Sequence, residues 1–580
     1  MRTRVRSGIL RPLIPVFVAL FPTAGSSAAT ELVEQMADAW TVAALRSAET
    51  VEWMEDTYGS PGMFTRHPTV GSLSTGKWTT SNSPADWHAG FWPGTLWMLA
   101  QKTGDDAWRQ RATAWSQALA ASTNTNHDIG FILLGSMGKG WYFHDDLSDP
   151  DGSYREFARN AITVAAAKLD ARFNKPNESG VGVPAGLIRS WDGFQSPYPV
   201  CIDNLMNLEL LLMAYELNGR PPEQRPWFDH ALAHARTSIA RHLRADGGSY
   251  HVVRHFDTGP EIGEIERKNT LQGYGDETTW ARGQAWAIYG LSAVYRHARR
   301  DPGTDASDIL AAAEAVADYF LDHLPHHHTA DPYNHRSGDH VPPKDFDAAL
   351  GEPAGPWNDA NDNYNPSTGA GLGDRKPATH VFTPRDSSAA AIAAAGLIEL
   401  AGLVPDPARG TRYLGAAEDI LECLISYDGP DGGSDPDYLC APGDPANPGI
   451  LKEGNARWTE ANRSLIYGDY FFLEAMARLE ALKARELLDV TLGFGRAAGN
   501  VCLEFERHDP APALAFRVQS SNDLIHWTTV AAKTGGGAWS GQVEETPVAG
   551  GKKRVRVEDP APAARGFLRV VTRALDGSAP

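Results

Sequence analysis

Cysteine is scarce: Cys201, Cys423, Cys440 and Cys502 are the only four in 580 residues. Their spacing is too wide and irregular for a zinc framework, and nothing else in the sequence calls for a metal or cofactor. Cys423 and Cys440 flank a Gly/Pro/Asp-rich loop and either pair as a disulfide in an oxidising compartment or stay as free thiols. Basic charge is also short. Lys and Arg number 53 against 72 Asp and Glu, a net charge of −19, which excludes duplex nucleic acid and anionic membrane surfaces as main partners, since both are held by basic patches. Past the first thirty residues no run reaches the ~18 uncharged apolar residues that a spanning helix needs. What remains is a globular composition, 42% hydrophobic and 22% charged, with an excess of tryptophan: seventeen residues. Indole rings need flat surfaces to pack or stack on.

The N-terminus carries Arg2, Arg4, Arg6 and Arg11, then the apolar run Leu13 to Phe21, then small residues from Ala24 to Ala29. A basic region, a short apolar core and a small-residue cleavage site make residues 1–29 an expected signal peptide, so the protein is expected to be exported, periplasmic or extracellular.

From residue 30 to about 485 the dominant period is helical. Gly90 to Leu99 stops at Thr103-Gly104-Asp105 and resumes at Trp108; Asp203 to Tyr215 stops at Asn218-Gly219 and resumes near Trp227. Further hairpins begin near Asp128, Arg282 and Asp386. With a helix near Glu31 to Glu55 and a last one from about Tyr467 to Ala484, the arithmetic suits an all-α toroid of six helical hairpins, apolar helices inside and amphipathic ones outside. The long polar loops Pro325 to Thr383 and Asp428 to Asn447 are places for a site. From residue 488 to 580 short alternating runs take over, such as Val501 to Phe505, Leu514 to Val518 and Phe567 to Val571, and predict a small C-terminal all-β, sandwich-like module.

Chemistry-bearing residues gather at helix starts and loops: Trp87, Phe91, His127, Asp128, Trp191, Asp203, His251, Gln272, Trp280, Arg282 and Trp286. Each has a plain alternative. An Asp opening a helix serves as its N-cap, and a Trp on an inner helix serves as core. Together, Asp128 and Asp203 stand at the starts of apolar helices in consecutive hairpins, on the same rim of a toroid. Two carboxyls in partly apolar surroundings suit acid/base chemistry on sugars, where one stays protonated near neutral pH. Aromatic walls accept sugar faces, and Arg282 offers a two-pronged cation for a substrate carboxylate.

The segments His127-Asp128-Ile129-Gly130-Phe131, Ile202 to Leu208, Ser249-Tyr250-His251 and Thr279 to Gly290 resemble the unsaturated glucuronyl hydrolases, glycoside hydrolase family 88. So do Trp87 to Gly94, Arg385 to Ala389 and Tyr467 to Phe471, and the likeness spans roughly residues 80–480. The resemblance implies an (α/α)6 barrel that removes a 4,5-unsaturated uronic acid from lyase-generated oligosaccharides, with Asp203 as general acid/base and Asp128 supporting it. It further implies that His251, Gln272 and Arg282 meet the uronate and the water, that Trp87, Trp191 and Trp286 frame the sugar ring, and that Phe91 and His127 belong to the substrate site. The stretch Leu451 to Glu460 departs from the family's forms at the leaving-sugar side, and its Lys452 and Arg457 either bind an anionic group or are ordinary surface cations. Two other readings stand beside this one. A related helical-barrel enzyme, an unsaturated rhamnogalacturonyl hydrolase or a uronate lyase, uses a similar toroid; a noncatalytic glycan-binding protein would keep the aromatic cleft without turnover. The oligomeric state is left open.

Overall fold

The computed structural model describes residues 27–144, 149, 151–177, 179–193, 197–324, 339–349, 384–425, 438–457, 460–486 and strands between 493 and 574. The expected signal segment up to residue 26, most of the two long loops with the polar run His326 to His328, and Trp527, read from the sequence as core or as a sugar-stacking ring of the C-terminal module, lie outside the described residues.

Fourteen helices are described: α1 (Ser27–Tyr58), α2 (Phe91–Thr103), α3 (Asp106–Leu119), α4 (Ile129–Leu133), α5 (Lys139–Phe143), α6 (Ser153–Asp170), α7 (Asn204–Leu217), α8 (Arg225–His242), α9 (Ala281–Ala298), α10 (Ser307–Asp322), α11 (Phe346–Ala349), α12 (Ser387–Ala401), α13 (Pro407–Ile425) and α14 (Ile466–Glu486). Punctuation in the sequence sets several boundaries. Gly104 closes α2 in the left-handed region at φ 69°, where a residue without Cβ is unstrained, and Asp105 at once caps α3 by accepting the Ala107 N–H.

Burial separates two classes. Helices α7, α9 and α12 are buried on nearly every face, and α12 manages this with a run of alanines. Helices α3, α6, α8 and α13 bury one stripe and expose the rest, the pattern of an outer layer. The buried class forms a circuit: α4 packs on α7, α7 on α9, α9 on α12, α12 on α14, α14 on α2, and α2 on the π turn Leu134–Gly138 that follows α4. Outside it α3 lies on α2, α6 and α8 on α7, α10 on α9, α13 on α12 and α1 on α13. Glycine permits close inner contacts: a Cβ at Gly290 of α9 would stand 2.6 Å from the Leu205 backbone of α7.

Short sheets fill the loops at the helix starts. Strands β1 (His67–Ser72) and β2 (Lys77–Ser81) pair antiparallel, as do β3 (Tyr198–Cys201), β4 (Val252–His255) and β5 (Ile265–Asn269), in that order. Neither sheet follows from the helical periodicity. Seven strands are described between residues 493 and 574. One antiparallel sheet holds β6 (Gly493–Ala497), β7 (Asn500–His508), β11 (Lys552–Glu558) and β10 (Val543–Val548); another holds β9 (Thr528–Thr534), β8 (Leu514–Ser521) and β12 (Phe567–Ala574). The disulfide alternative is corrected: Cys423, on α13, and Cys440 are both free, buried thiols, and burial pushes each up to about 12.

Candidate active site

The site is assembled from helix starts and the β3–β5 sheet. Strand β3 ends at Cys201, and two residues later Asp203 opens α7. Pairing of β3 with β4 brings His251 alongside, since the Ile202 N–H donates to the His251 carbonyl at 2.9 Å. Asp128 opens α4. Here the N-cap alternative fails for both carboxylates: neither Asp128 nor Asp203 accepts a capping bond from its helix, whereas Asp105 and Asp386 do so for α3 and α12. The two acids are thus free for other work.

Asp203 is poised by its surroundings. Its Oδ1 is buried with no hydrogen-bond partner among the described residues. Burial pushes the carboxyl up to about 6 and the charge of Asp128 adds to the rise, against the pull of His127, the Cys201 thiol and Arg282. Cys201 Sγ, an Asp203 oxygen and a His251 ring nitrogen lie within 4.8 Å of one another. Burial holds that thiol well above its ordinary range, so it stays an S–H donor and the trio suits hydrogen bonding better than a cation. His251 is fixed as well. Its Nδ1 accepts the backbone N–H of Leu271 at 3.2 Å and of Gln272 at 3.4 Å, and its ring stacks on Trp280 with centroids 4.2 Å apart. With Nδ1 accepting, Nε2 carries the proton of the neutral ring, and burial beside Arg282 and Lys344 keeps it neutral.

Asp128 has its own support. His127 Nε2 stands 3.0 Å from Asp128 Oδ1, His127 Nδ1 stands 3.1 Å from Ser190 Oγ, and Trp191 packs edge-on against the imidazole with centroids 5.1 Å apart.

Arg282 differs from the expected open fork. One terminal nitrogen donates to Asp386 Oδ2 and the Asn455 carbonyl, both at 2.7 Å; the other donates to Gln272 Oε1 at 2.7 Å and the Ala456 carbonyl at 3.2 Å. The guanidinium lies over the rings of Trp280 and Tyr467, 4.5 and 5.2 Å from their centroids. A buried cation must be paired, and Asp386 supplies the charge, so Arg282 orients Gln272 and the Asn455–Ala456 backbone. The aromatic residues also divide. Trp87 is half-buried, over His88 at 3.9 Å and Tyr467 at 5.0 Å. Trp191 is half-buried too. Phe91 and Trp286 are each only 1% exposed, packed with Phe131 and Phe471; both belong to the floor, not to an open wall.

Sequence reasoning singled out Asp386 and Tyr467 as helix starts within family-like segments but gave them no site role, counted Cys201 only among the sparse cysteines and Asn455 only within the divergent stretch 451–460, and passed over Ser190. Cys201 had a signal in standing two residues before Asp203 on a strand. Asn455 had none, although both its amide atoms are buried without partners among the described residues, as is the Tyr467 hydroxyl.

No family model matches the chain. Curated relatives do. An unsaturated glucuronyl hydrolase from Formosa agariphila is 32% identical over 405 residues, 68% of this chain and 80% of the relative. A second, from Bacillus sp. strain GL1, is 30% identical over 412 residues, 69% of this chain and 87% of the relative. Among solved structures, an unsaturated glucuronyl hydrolase specific for heparin superimposes with a TM-score of 0.57 at 30% identity, covering 78% of this chain and 98% of its own. On that identity and coverage, the chain belongs to the unsaturated glucuronyl hydrolases, glycoside hydrolase family 88.

Proposed function

We propose that the protein removes 4,5-unsaturated uronic acid from the non-reducing end of lyase-generated oligosaccharides by hydrating the C4=C5 enol-ether bond. The observation that carries this reading is Asp203: a carboxyl that does not cap its helix, has a buried oxygen unpartnered among the described residues and is held up to about 6. Such a group is protonated often enough near neutral pH to act as an acid, and ionises easily enough to act next as a base. It gives its proton to C4, and positive charge develops at C5 and the ring oxygen. Water then adds at C5 while its proton returns to the Asp203 carboxylate. The hemiketal opens by breaking the bond between C5 and the ring oxygen, leaving a C5 ketone and a C1 hemiacetal that releases the leaving sugar. Asp128 holds negative charge nearby, His251 offers Nε2–H, and Gln272, set by Arg282, meets the uronate. Trp87 and Trp191 frame the sugar above a floor containing Phe91 and Trp286.

The same reading takes the closed helix circuit as the (α/α)6 toroid spanning residues 30–485, residues 488–580 as a sandwich-like accessory module, and residues 1–29 as an export signal. Turnover in D2O tests the chemistry. Hydration places one deuterium at C4 of the early product, seen by proton NMR; an unlabelled C4 would mean direct displacement at the anomeric carbon.

A further inference from the structure

Behind the two carboxyls runs a line of buried hydrogen bonds that the reaction scheme does not use, and Ser190 is its centre. Ser190 is fully buried, and all its polar groups are engaged. Its N–H donates to the Pro199 carbonyl at 2.9 Å, and its carbonyl accepts the His127 N–H at 3.1 Å. Its Oγ accepts the Cys201 N–H at 2.8 Å and lies 3.1 Å from His127 Nδ1. One residue therefore ties the loop carrying Asp128 to the strand leading to Asp203.

The hydroxyl also decides a proton. Ser190 has one O–H, and with Oγ already accepting from Cys201, His127 Nδ1 is the acceptor it reaches among the described residues. Nδ1 then cannot carry the ring proton, which moves to Nε2, facing Asp128 Oδ1 at 3.0 Å. We propose that Ser190 is a positioning residue that holds His127 as its Nε2–H tautomer, aiming a donor at Asp128 so that the charge of Asp128 stands beside Asp203 when the reaction begins. This rests on the reading of Asp203 as proton donor.

The groups facing Asp203 from its surroundings are His127, Asp128, Cys201, His251, Arg282 and Tyr467. Asp128 favours a protonated Asp203 and His127 opposes it, so turning the His127 N–H away leaves the pull of Asp128 less offset. Removing the Ser190 hydroxyl therefore moves the alkaline limb of kcat/KM, the loss of the protonated acid, to higher pH.

The test measures the full chain. Ser190→Ala, with folding checked by circular dichroism, is expected to lower kcat at least about tenfold with little change in KM, and to shift the alkaline limb upward. Ser190→Thr, which restores a hydroxyl, is expected to regain much of both. A folded Ser190→Ala variant with wild-type kcat and an unmoved limb overturns the proposal. Histidine side-chain nitrogen NMR of the wild type, assigned by difference against His127→Gln, gives a reading independent of the variant's folding. An Nε2–H ring supports the proposal; an Nδ1–H or doubly protonated ring overturns it. Wild-type protein with no turnover on any unsaturated oligosaccharide would instead sink the reading of the reaction, with the tautomer still measured.

Discussion

Asp203 carries a conflict between stability and chemistry that can be measured. Its carboxyl titrates near 6 in the folded protein and near the ordinary 3.8 when unfolded. The protonated form is the one the fold prefers, so its contribution to stability is complete below about pH 4 and is lost as pH rises through about 6, on the order of 3 kcal/mol by neutrality. Asp203→Asn, which cannot ionise, is expected to lose ~10²- to 10⁴-fold in turnover yet gain thermal stability over wild type at pH 7, with that gain absent at pH 3.5. Equal melting-temperature differences at the two pH values would show that the carboxyl is not held protonated. At this scale the sequence was informative about residue types and less so about their partners. The two acids were legible as helix openers, but whether an Asp caps its helix depends on backbone geometry. Arg282 was legible as a site cation and was expected to be open to a substrate carboxylate, but its engagement by Asp386 and by the backbone at Asn455 and Ala456 joins residues more than a hundred apart in sequence.

Among the elements, the inner helices are held by close approach more than by large side chains. A methyl added at Gly290 would press on the Leu205 backbone at 2.6 Å, which cannot swing aside as a side chain can. Gly290→Ala is expected to destabilise by about 1–3 kcal/mol. Gly415 on α13 has nothing within 4 Å of a built Cβ, and Gly415→Ala is expected to raise the melting temperature through helix propensity, worth up to about 1 kcal/mol. Thermal denaturation of the two variants side by side checks the assignment of inner and outer layers; equal effects would contradict it. The hairpins were readable because long periodic runs end in Gly or Asn, as at Gly104 and Asn218-Gly219. Strands β1 to β5 were not, because four to six residues inside polar loops carry too little alternation to stand out. The split of the second inner helix into α4 and α5 about a π turn is likewise invisible to periodicity.

For the whole molecule, every site residue expected from the sequence lies between Trp87 and Trp286, while Asp386 and Asn455 join them through Arg282 and Tyr467 through both Arg282 and Trp87. A chain ending at residue 487 is therefore expected to keep wild-type turnover on a disaccharide; a large loss would give the C-terminal strands a part in the site. The net charge of −19 fits this arrangement, because the buried cation that organises the site is matched by Asp386 and adds no basic surface. The tryptophan excess divides in the same way, with Trp87 and Trp191 half-buried beside the proposed site and Trp92, Trp97, Trp115 and Trp286 in the core. The most direct test of the account is the ultraviolet absorbance of the conjugated double bond in lyase-generated disaccharides, followed with wild type and Asp203→Asn. The account predicts that absorbance falls with wild type on at least one of the chondroitin, heparin, hyaluronan, ulvan, gellan or pectin products and stays nearly constant with the variant. No fall on any of them, or an equal fall with both proteins, would contradict it.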